Sequence, residues 1–127
     1  ELFSHYTKSY PLNIKFKENI GNIHIKDDVA ITLYRVIQEA FNNIVKHAKA
    51  KNVKIDLLLR AGEINLIIED DGAGFDAEAF FREANVDKLG LRGMRERVDL
   101  LNGKFFLQSK IKGGTRVNVI FPIIEEA

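Results

Sequence analysis

Four polar side chains recur in one segment at the spacing of a single helix face: Glu39, Asn43, Lys46 and His47. At 100° per residue they lie at about 0°, 40°, −20° and 80° around the helix axis. Apolar residues occupy the neighbouring arc, so this polar stripe borders the core. A carboxylate, an amide and an amine on successive turns suit a hard cation and the phosphates that it bridges. The alternative is a solvated helix face, which is the more frequent origin of Glu and Asn on helices.

A second group of polar residues and glycines stands where an apolar strand ends, in the segment Asp70-Asp71-Gly72-Ala73-Gly74-Phe75. Glycines allow a backbone to approach a flat ligand closely, and a carboxylate at a strand end can accept a hydrogen bond from an exocyclic amine. The alternative interpretation is an ordinary turn rich in Asp and Gly.

Two further glycine motifs come later in the chain. The first is Gly90-Leu91-Arg92-Gly93-Met94-Arg95-Glu96-Arg97, at the start of a helix. Free N–H groups and the macrodipole at a helix N-terminus can hold phosphate without a specific side chain, although a flexible helix start is the alternative. The second is Gly113-Gly114-Thr115 before the last strand, where a hairpin turn is the commoner explanation unless the other motifs converge on it.

Hydrophobic periodicity predicts the elements that position these residues. A helix is expected over 28–48, with Asp28 as its N-cap, and a second begins near Leu91 and ends at Asn102-Gly103. Alternation predicts strands at 12–16, 53–59, 64–68, 104–109 and 115–121, with Ala61-Gly62 as a tight hairpin. Residues 75–89 carry no clear period, and this length favours a functional loop. Residues 1–9 fit the end of a further helix.

This order of elements predicts an α+β fold. We expect a two-layer α/β sandwich whose mixed, mostly antiparallel sheet carries its helices on one face. A chain of 127 residues, 46% of them hydrophobic, is expected to form a single domain over 1–127. The first residue is not Met, which suggests a domain excised from something longer.

Composition excludes several classes of protein. A net charge of +1, from 19 basic and 18 acidic residues, argues against nucleic-acid binding. The absence of Cys excludes disulfides, thiolate metal sites and cysteine nucleophiles. No apolar run approaches the roughly 20 residues of a membrane helix, so no direct membrane contact is expected.

Taken together and in this order, the motifs resemble the ATP-binding catalytic domain of sensor histidine kinases, within the GHKL superfamily of ATPases. Residues 38–48 look like its N box, Asp70 to Gly74 its Asp-x-Gly-x-Gly box, and Gly90 to Arg97 its Gly-Leu-x-Gly-Met-x-Glu-Arg box. The resemblance covers nearly the whole chain. The last box is similar to that of the subfamily whose response regulators carry helix-turn-helix output domains.

The resemblance implies a role for each matching residue of the N box. Asn43 matches the Mg²⁺-ligating Asn, and Glu39 matches the acidic position near the water and the metal. These two residues are the catalytic candidates. Lys46 matches a phosphate-contacting base, and His47 belongs to the same box with a less defined role.

The other boxes imply the remaining contacts to ATP. Asp70 matches the carboxylate that accepts from the adenine amino group, and the residues expected around it are Gly72, Gly74 and the Thr115 hydroxyl. Backbone positions around the phosphates match Gly90, Leu91 and Gly93.

Residues 75–89 match the ATP lid. Lys88 stands where the family often has a further Gly. A Lys can offer charge to the γ-phosphate, but it removes a position that tolerates positive φ.

By resemblance, the chain is an ATP- and Mg²⁺-dependent protein histidine kinase that transfers the γ-phosphate to a histidine on a separate dimerisation domain. That domain is expected to be absent here, since His5, His24 and His47 lack the acidic residue that usually follows the acceptor. The isolated chain should therefore not phosphorylate itself. Its partners would be ATP, the acceptor domain and, through the full-length protein, a response regulator, in a cytoplasmic part of a membrane-anchored parent.

Two alternatives remain open at this point. A serine kinase of the anti-sigma-factor type has the same kind of ATP-binding pocket, although the residue sequence of the Gly90 to Arg97 box disfavours it. A regulatory module of a different class would bind the nucleotide without phosphotransfer, and lid order would report ATP to a partner.

Overall fold

A five-stranded sheet forms the frame of the protein in the computed structural model, which describes residues 12–82 and 90–123. The strands are β1 (Asn13–Glu18), β2 (Asn52–Arg60), β3 (Glu63–Asp70), β4 (Lys104–Ser109) and β5 (Thr115–Pro122). Their order in the sheet is β1-β2-β3-β5-β4. Among the strand pairs of the described residues, only β1–β2 is parallel, which confirms the predicted mixed, mostly antiparallel sheet.

Helices cover one face of this sheet, and the core lies between the two layers. The helices are α1 (Asp27–Asn43), which continues as a π-helical turn (Ile44–Ala48), α2 (Ala77–Arg82) and α3 (Leu91–Leu100). Buried side chains of α1 and α3, among them Phe41 and Val98, pack with Ile55, Leu66 and Val119 of the sheet. This confirms the predicted two-layer α+β architecture. It also explains the alternation in β2, β3 and β5, where one face of each strand enters the core.

Two predicted turns are confirmed by their backbone angles. Ala61 and Gly62 join β2 to β3 with φ values of 49° and 76°, the positive pair that a two-residue hairpin requires. Helix α3 ends at Leu100 with Leu101 as its C-cap, one residue before the predicted Asn102-Gly103. Asn102 follows with a φ of 61°, and the Gly103 N–H donates to the carbonyl of Val98 at 2.9 Å. That hydrogen bond satisfies a carbonyl at the end of the helix.

The start of α1 differs from the prediction. Lys26 occupies the N-cap position, so the expected N-cap role of Asp28 is wrong. Asp28 lies inside the first turn, where its Oδ1 accepts from the Val29 N–H at 2.8 Å. A carboxylate in that turn still interacts favourably with the helix dipole.

The segment after β3 also differs, because α2 lies within the stretch that was expected to have no regular element. Asp76 precedes this six-residue helix, and its Oδ1 accepts from the Ala79 N–H at 3.0 Å. A helix of this length is too short to reveal a hydrophobic period. Residues 83–89, with Lys88, and the predicted helix end at 1–9 lie outside the described residues. Among the described residues, none of the helices combines the length and the apolarity required to span a bilayer.

Candidate functional site

Asp70 and Thr115 face each other at the end of the sheet. Asp70 is the last residue of β3, and its register partner is Thr115, the first residue of β5. Asp70 continues the row of core-facing residues of β3 that includes Leu66 and Ile68. Its Oδ1 accepts from the Gly72 N–H at 2.8 Å. Burial nevertheless raises the pKa of Asp70 above its ordinary value, and the neighbouring charge of Asp71 adds to this effect.

Asp71, the next residue, has a different role. Its Oδ1 accepts from the backbone N–H groups of Lys51 and Asn52, both at 2.9 Å. Its Oδ2 accepts from the Asn52 side-chain amide at 2.7 Å. These donors stabilise the charged form and lower the pKa of Asp71 to about 2. The structure therefore separates a half-buried strand-end carboxylate with a raised pKa, Asp70, from an exposed one that ties β3 to the start of β2.

A hydroxyl pair lies beside Asp70. Ser109 Oγ is 2.8 Å from Thr115 Oγ1 and donates to the Gly114 carbonyl at 3.0 Å. The Phe75 N–H donates to the same Ser109 oxygen at 2.9 Å. The sequence analysis missed Ser109. Its position would have revealed it, because it follows Phe105 and Leu107 at a period of two and so continues the core-facing row of β4.

Two glycines let the turns around this pair approach each other. Gly74 has a φ of 62°, and a Cβ there would collide with the carbonyl oxygen of Lys110. Gly114 has a φ of 74°, and a Cβ there would collide with the carbonyl oxygen of Asp70. The turn after β3 and the turn between β4 and β5 are thus in backbone contact. We call Asp70, Ser109, Gly114 and Thr115 the strand-end cluster.

Helices α1 and α3 form a second group. Glu39 and Asn43 are half-buried on α1. Gly90 precedes α3 with a φ of 68°, and a Cβ there would lie 3.0 Å from Glu39 Oε2. The structure therefore brings Glu39 of α1 to the residue that precedes α3. We call Glu39, Asn43 and Gly90 the helix cluster.

The other predicted residues lie around these two clusters. Leu91 is buried in the core, and Gly93 is half-buried in the first turn of α3. Gly72 is buried immediately after the strand-end carboxylates. Lys46 is exposed in the π-helical turn, where the 100° spacing used to place it on one face with Glu39 does not hold. His47 shares that turn, but its side chain lies outside the described part of the protein.

A cleft of about 780 Å³ opens beside the strand-end cluster, between α2 and the ends of β4 and β5. Asp70, Ser109 and Thr115 line it. Glu39 and Asn43 are not among its lining residues. The cleft is therefore lined by residues of the strand-end cluster and does not extend to Glu39 and Asn43 of the helix cluster.

The oxygen donors of the helix cluster fit a magnesium ion that takes few of its ligands from the protein. Within 12–82 and 90–123, no group of three or more Asp, Glu and His side chains is arranged to hold a metal. Asn43 and Glu39 nevertheless supply an amide and a carboxylate oxygen one turn apart on α1. Mg²⁺ in nucleotide sites takes only one or two protein oxygens and completes its shell with phosphates and water. The donor set suits this mode of binding.

Comparison with known proteins places this geometry in a family. A curated relative, the signal transduction histidine-protein kinase/phosphatase DegS of Brevibacillus brevis, is 36% identical over 113 residues. The oxygen sensor histidine kinase NreB of Staphylococcus carnosus is 31% identical over 123 residues. The matches cover 89% and 97% of this chain. The chain spans only 28% of the length of DegS and 35% of that of NreB.

Solved structures share the fold at lower sequence identity. The histidine kinase domain of the Erythrobacter litoralis EL346 blue-light activated histidine kinase superposes with a TM-score of 0.72 at 21% identity, over 94% of this chain and 57% of that one. The Acinetobacter baumannii histidine kinase AdeS gives 0.75 at 16% identity, over 97% and 60%. The sequence profile described as "Histidine kinase-, DNA gyrase B-, and HSP90-like ATPase" matches residues 28–125, a range that contains both clusters. The chain belongs to this family of histidine kinase-, DNA gyrase B- and HSP90-like ATPases.

Proposed function

We propose that this chain is the Mg²⁺-dependent, ATP-binding catalytic domain of a two-component sensor histidine kinase. It would transfer the γ-phosphate of ATP to a histidine on a separate dimerisation domain. The observation that carries the proposal is that one domain presents both a strand-end carboxylate, Asp70, opposite Thr115, and a helix start placed against Glu39. Two relatives named as histidine kinases support the same activity.

The strand-end cluster is the proposed site of the adenine base. Asp70 is half-buried and held by the Gly72 N–H, so its remaining lone pairs can accept from the 6-amino group of adenine. The Thr115 hydroxyl would meet the same edge of the base. Gly72 and Gly74 would shape the wall, because their backbone comes close to the sheet without a side chain.

The helix cluster is the proposed site of the phosphates. Asn43 would supply an amide oxygen to Mg²⁺, which neutralises phosphate charge when bound. Glu39 would orient water or the reacting group beside it. The backbone of the first turn of α3, at Leu91 and Gly93, would lie against the phosphate oxygens, since the positive end of the helix dipole favours anions there.

The remaining basic residues would act around the triphosphate. Lys46 would add positive charge, and His47 would line the nucleotide site. We assign residues 75–89 to the ATP lid and residues 1–127 to one catalytic domain.

Transfer in this scheme needs little covalent chemistry from the chain itself. The imidazole nitrogen of the acceptor domain would attack the γ-phosphorus, the N–P bond would form, and the P–O bond to ADP would break. The chain's own residues position the triphosphate in line and stabilise its charge. The partners are then the acceptor domain and, through the full-length protein, a response regulator of the class with helix-turn-helix output. We place this step on the cytoplasmic side of a membrane-anchored parent, without contact to nucleic acid or membrane.

The test mixes this chain with ATP labelled on the γ-phosphate and a separately prepared dimerisation domain of the parent kinase. We expect ATP binding but no phosphorylation by the chain alone, and acid-labile, hydroxylamine-sensitive phosphate on the added domain. Glu39→Ala and Asn43→Ala should abolish transfer, whereas His24→Ala, at an exposed position away from both clusters, should not. Mass spectrometry locates the phosphate.

Each other outcome of this test separates the alternatives. Phosphohistidine on this chain without a partner would refute the proposal. Phosphoserine on the partner would favour the anti-sigma type, and ATP binding without any transfer would favour a regulatory module. Rapid hydrolysis by the chain alone would point to the ATPase branches of the family.

A further inference from the structure

The segment that leads from α1 into β2 connects the two clusters of the site. Asn43 of the helix cluster ends α1, the π-helical turn follows over Ile44–Ala48, and β2 begins at Asn52. Asp70 of the strand-end cluster lies beside the start of β2, because its register partner there is Val53. The start of β2 is therefore the place where the chain that comes from the helix cluster reaches the strand-end cluster.

Lys51 and Asn52 are bonded on one side to the turn that follows β3. Both backbone N–H groups donate to Asp71 Oδ1 at 2.9 Å, and the Asn52 side-chain amide donates to Asp71 Oδ2 at 2.7 Å. The Asp71 N–H donates back to the Asn52 carbonyl at 3.3 Å. Each side-chain bond is exposed to solvent and stabilises little alone, but together these bonds join the same three residues.

On the other side, the start of β1 fixes the orientation of the Asn52 amide. The Asn13 side-chain amide donates to Asn52 Oδ1 at 3.0 Å, and the Asn13 backbone N–H donates to the Lys51 carbonyl at 2.9 Å. Because a donor occupies the Asn52 oxygen, the Asn52 NH₂ group points to Asp71. Hydrogen bonds, above all that from the Asn52 backbone N–H, lower the pKa of Asp71 to about 2, so this carboxylate only accepts at neutral pH. We call Asn13, Lys51, Asn52 and Asp71 the β2 clamp.

A ligand that contacts both clusters depends on the spacing between them. ATP would place its base at the strand-end cluster and its phosphates at the helix cluster. When the two halves of a site are held at the right spacing, the second contact becomes intramolecular and gains effective concentration. A looser connection lowers this gain. A ligand that contacts only one cluster does not depend on the spacing.

We propose that Asn52 is a positioning residue of the nucleotide site: it ties the chain that follows α1 to the turn that follows Asp70, and so fixes the spacing between the helix cluster and the strand-end cluster. Asn52 does not line the cleft beside the strand-end cluster. It acts through Asp71 and through the backbone at the start of β2, without contact to the nucleotide. This inference deepens the proposed function and rests on it.

The experiment compares ATP, which would reach both clusters, with adenosine, which lacks the phosphates. Titration calorimetry with Mg²⁺ measures the affinity for ATP, and NMR titration of the same chain measures the affinity for adenosine. Asn52→Ala should lower the ratio of the ATP affinity to the adenosine affinity about tenfold. Asn19→Ala is the matched control, because this exposed amide accepts from the Leu59 N–H at 2.7 Å at the opposite end of β1 and β2. It should change neither affinity.

An exchange of the two side chains separates positioning from a general loss of structure. Asp71→Asn alone should lower the ratio as Asn52→Ala does, since two amide NH₂ groups then face each other. Asn52→Asp combined with Asp71→Asn again places a carboxylate against an amide, so it should restore the ratio to within about threefold of the unmodified chain. Asn13→Ala leaves the contact to Asp71 and should lower the ratio only about threefold. It replaces Asn52→Ala if that variant does not fold.

Three results would overturn the inference. The first is an unchanged ratio in Asn52→Ala. The second is an equal fall in both affinities, which would mean damage to the strand-end cluster and not a change of spacing. The third is an exchange variant that stays as weak as Asp71→Asn. If the unmodified chain binds no ATP, the proposed function fails and this inference with it; if it binds ATP and the ratio does not depend on Asn52, this inference alone fails.

Discussion

The strand-end cluster and the helix cluster are held together by different kinds of contact. In the strand-end cluster, the register of β3 and β5, backbone hydrogen bonds and two positive-φ glycines fix Asp70 against Thr115. In the helix cluster, the flexible end of Glu39 lies against the backbone of Gly90, which immediately precedes a different helix, α3. The strand end of the site is therefore built by the sheet itself. The helix end depends on how α1 and α3 pack together.

This difference predicts how the two clusters respond to substitution. A change at the backbone contacts of the strand-end cluster should disturb the sheet and lower the free energy of unfolding. A change at the helix cluster can be absorbed by a side-chain movement, and it should lower nucleotide affinity instead. Substitutions in each cluster test the contrast.

The largest effect is expected for Gly114→Ala. Its φ of 74° is strained for alanine, and the new Cβ would collide with the carbonyl of Asp70. Strain and overpacking together should lower the free energy of unfolding by about 3 kcal/mol. Gly62→Ala is the control, because its φ is 76° but nothing lies within 4 Å of its Cβ, so only about 1 kcal/mol should be lost. Urea unfolding measures both values. Equal losses would contradict the conclusion that the close backbone contact at Gly114 contributes to the stability of the fold.

Gly90→Ala should separate stability from binding. Its φ of 68° carries the same strain as Gly62→Ala, about 1 kcal/mol, since the nearest atom is the movable Oε2 of Glu39. Moving that carboxylate should lower Mg²⁺–ATP affinity about tenfold, by displacing a group of the site. Calorimetry on Gly90→Ala and Gly62→Ala checks this, with no change in affinity expected for Gly62→Ala. If Gly90→Ala retained full affinity, Glu39 would have no part in binding.

The strands and the main helix were predictable because burial of one face imposes a period on the sequence. Ile64, Leu66 and Ile68 alternate for that reason, and the positive φ values of Ala61 and Gly62 follow from the hairpin that they close. The identities of the candidate site residues came from motif resemblance. What remained hidden depends on contacts between distant parts of the chain.

Ser109 and Asp71 illustrate this limit. Ser109 pairs with Thr115 in the β4–β5 hairpin, but it accepts from Phe75 only because β5 lies beside β3, and the role of Asp71 follows from the pairing of β2 with β3. The period of β4 places Ser109 on its core-facing row, but neither of these long-range contacts can be read from a local period. The angle assigned to Lys46 failed for a related reason, since a π-helical turn cannot be anticipated from a 100° repeat.

Asp71→Asn should destabilise the fold at neutral pH. The pKa of Asp71 is lowered to about 2 from 3.8, so the ionised carboxylate stabilises the folded state above pH 3.8, and this contribution is lost as the pH falls towards 2. Its hydrogen bonds are exposed to solvent, and we expect a loss of only about 1 kcal/mol at pH 7. Urea unfolding between pH 3 and pH 7 should show the variant approaching the unmodified chain at the acid end. A difference that does not vary with pH would contradict this role.

Asp70→Asn should have the smallest effect on stability, and its sign should be opposite. Burial raises the folded-state pKa of Asp70 above 3.8, so ionisation costs the folded state free energy as the pH rises from 3.8 through that raised pKa. The amide cannot ionise and its oxygen can still accept from Gly72, so the variant should be slightly more stable at pH 7, by less than Asp71→Asn loses. The same substitution should reduce the preference for ATP over GTP, since the amide can also donate to the guanine carbonyl. Unfolding curves from pH 4 to pH 7, with competition binding at pH 7, measure both effects. A loss of stability as large as that of Asp71→Asn would mean that Asp70 stabilises the fold, as its neighbour does. A gain in stability together with lost selectivity would mean that the ionised Asp70 destabilises the fold and is kept because it binds a ligand.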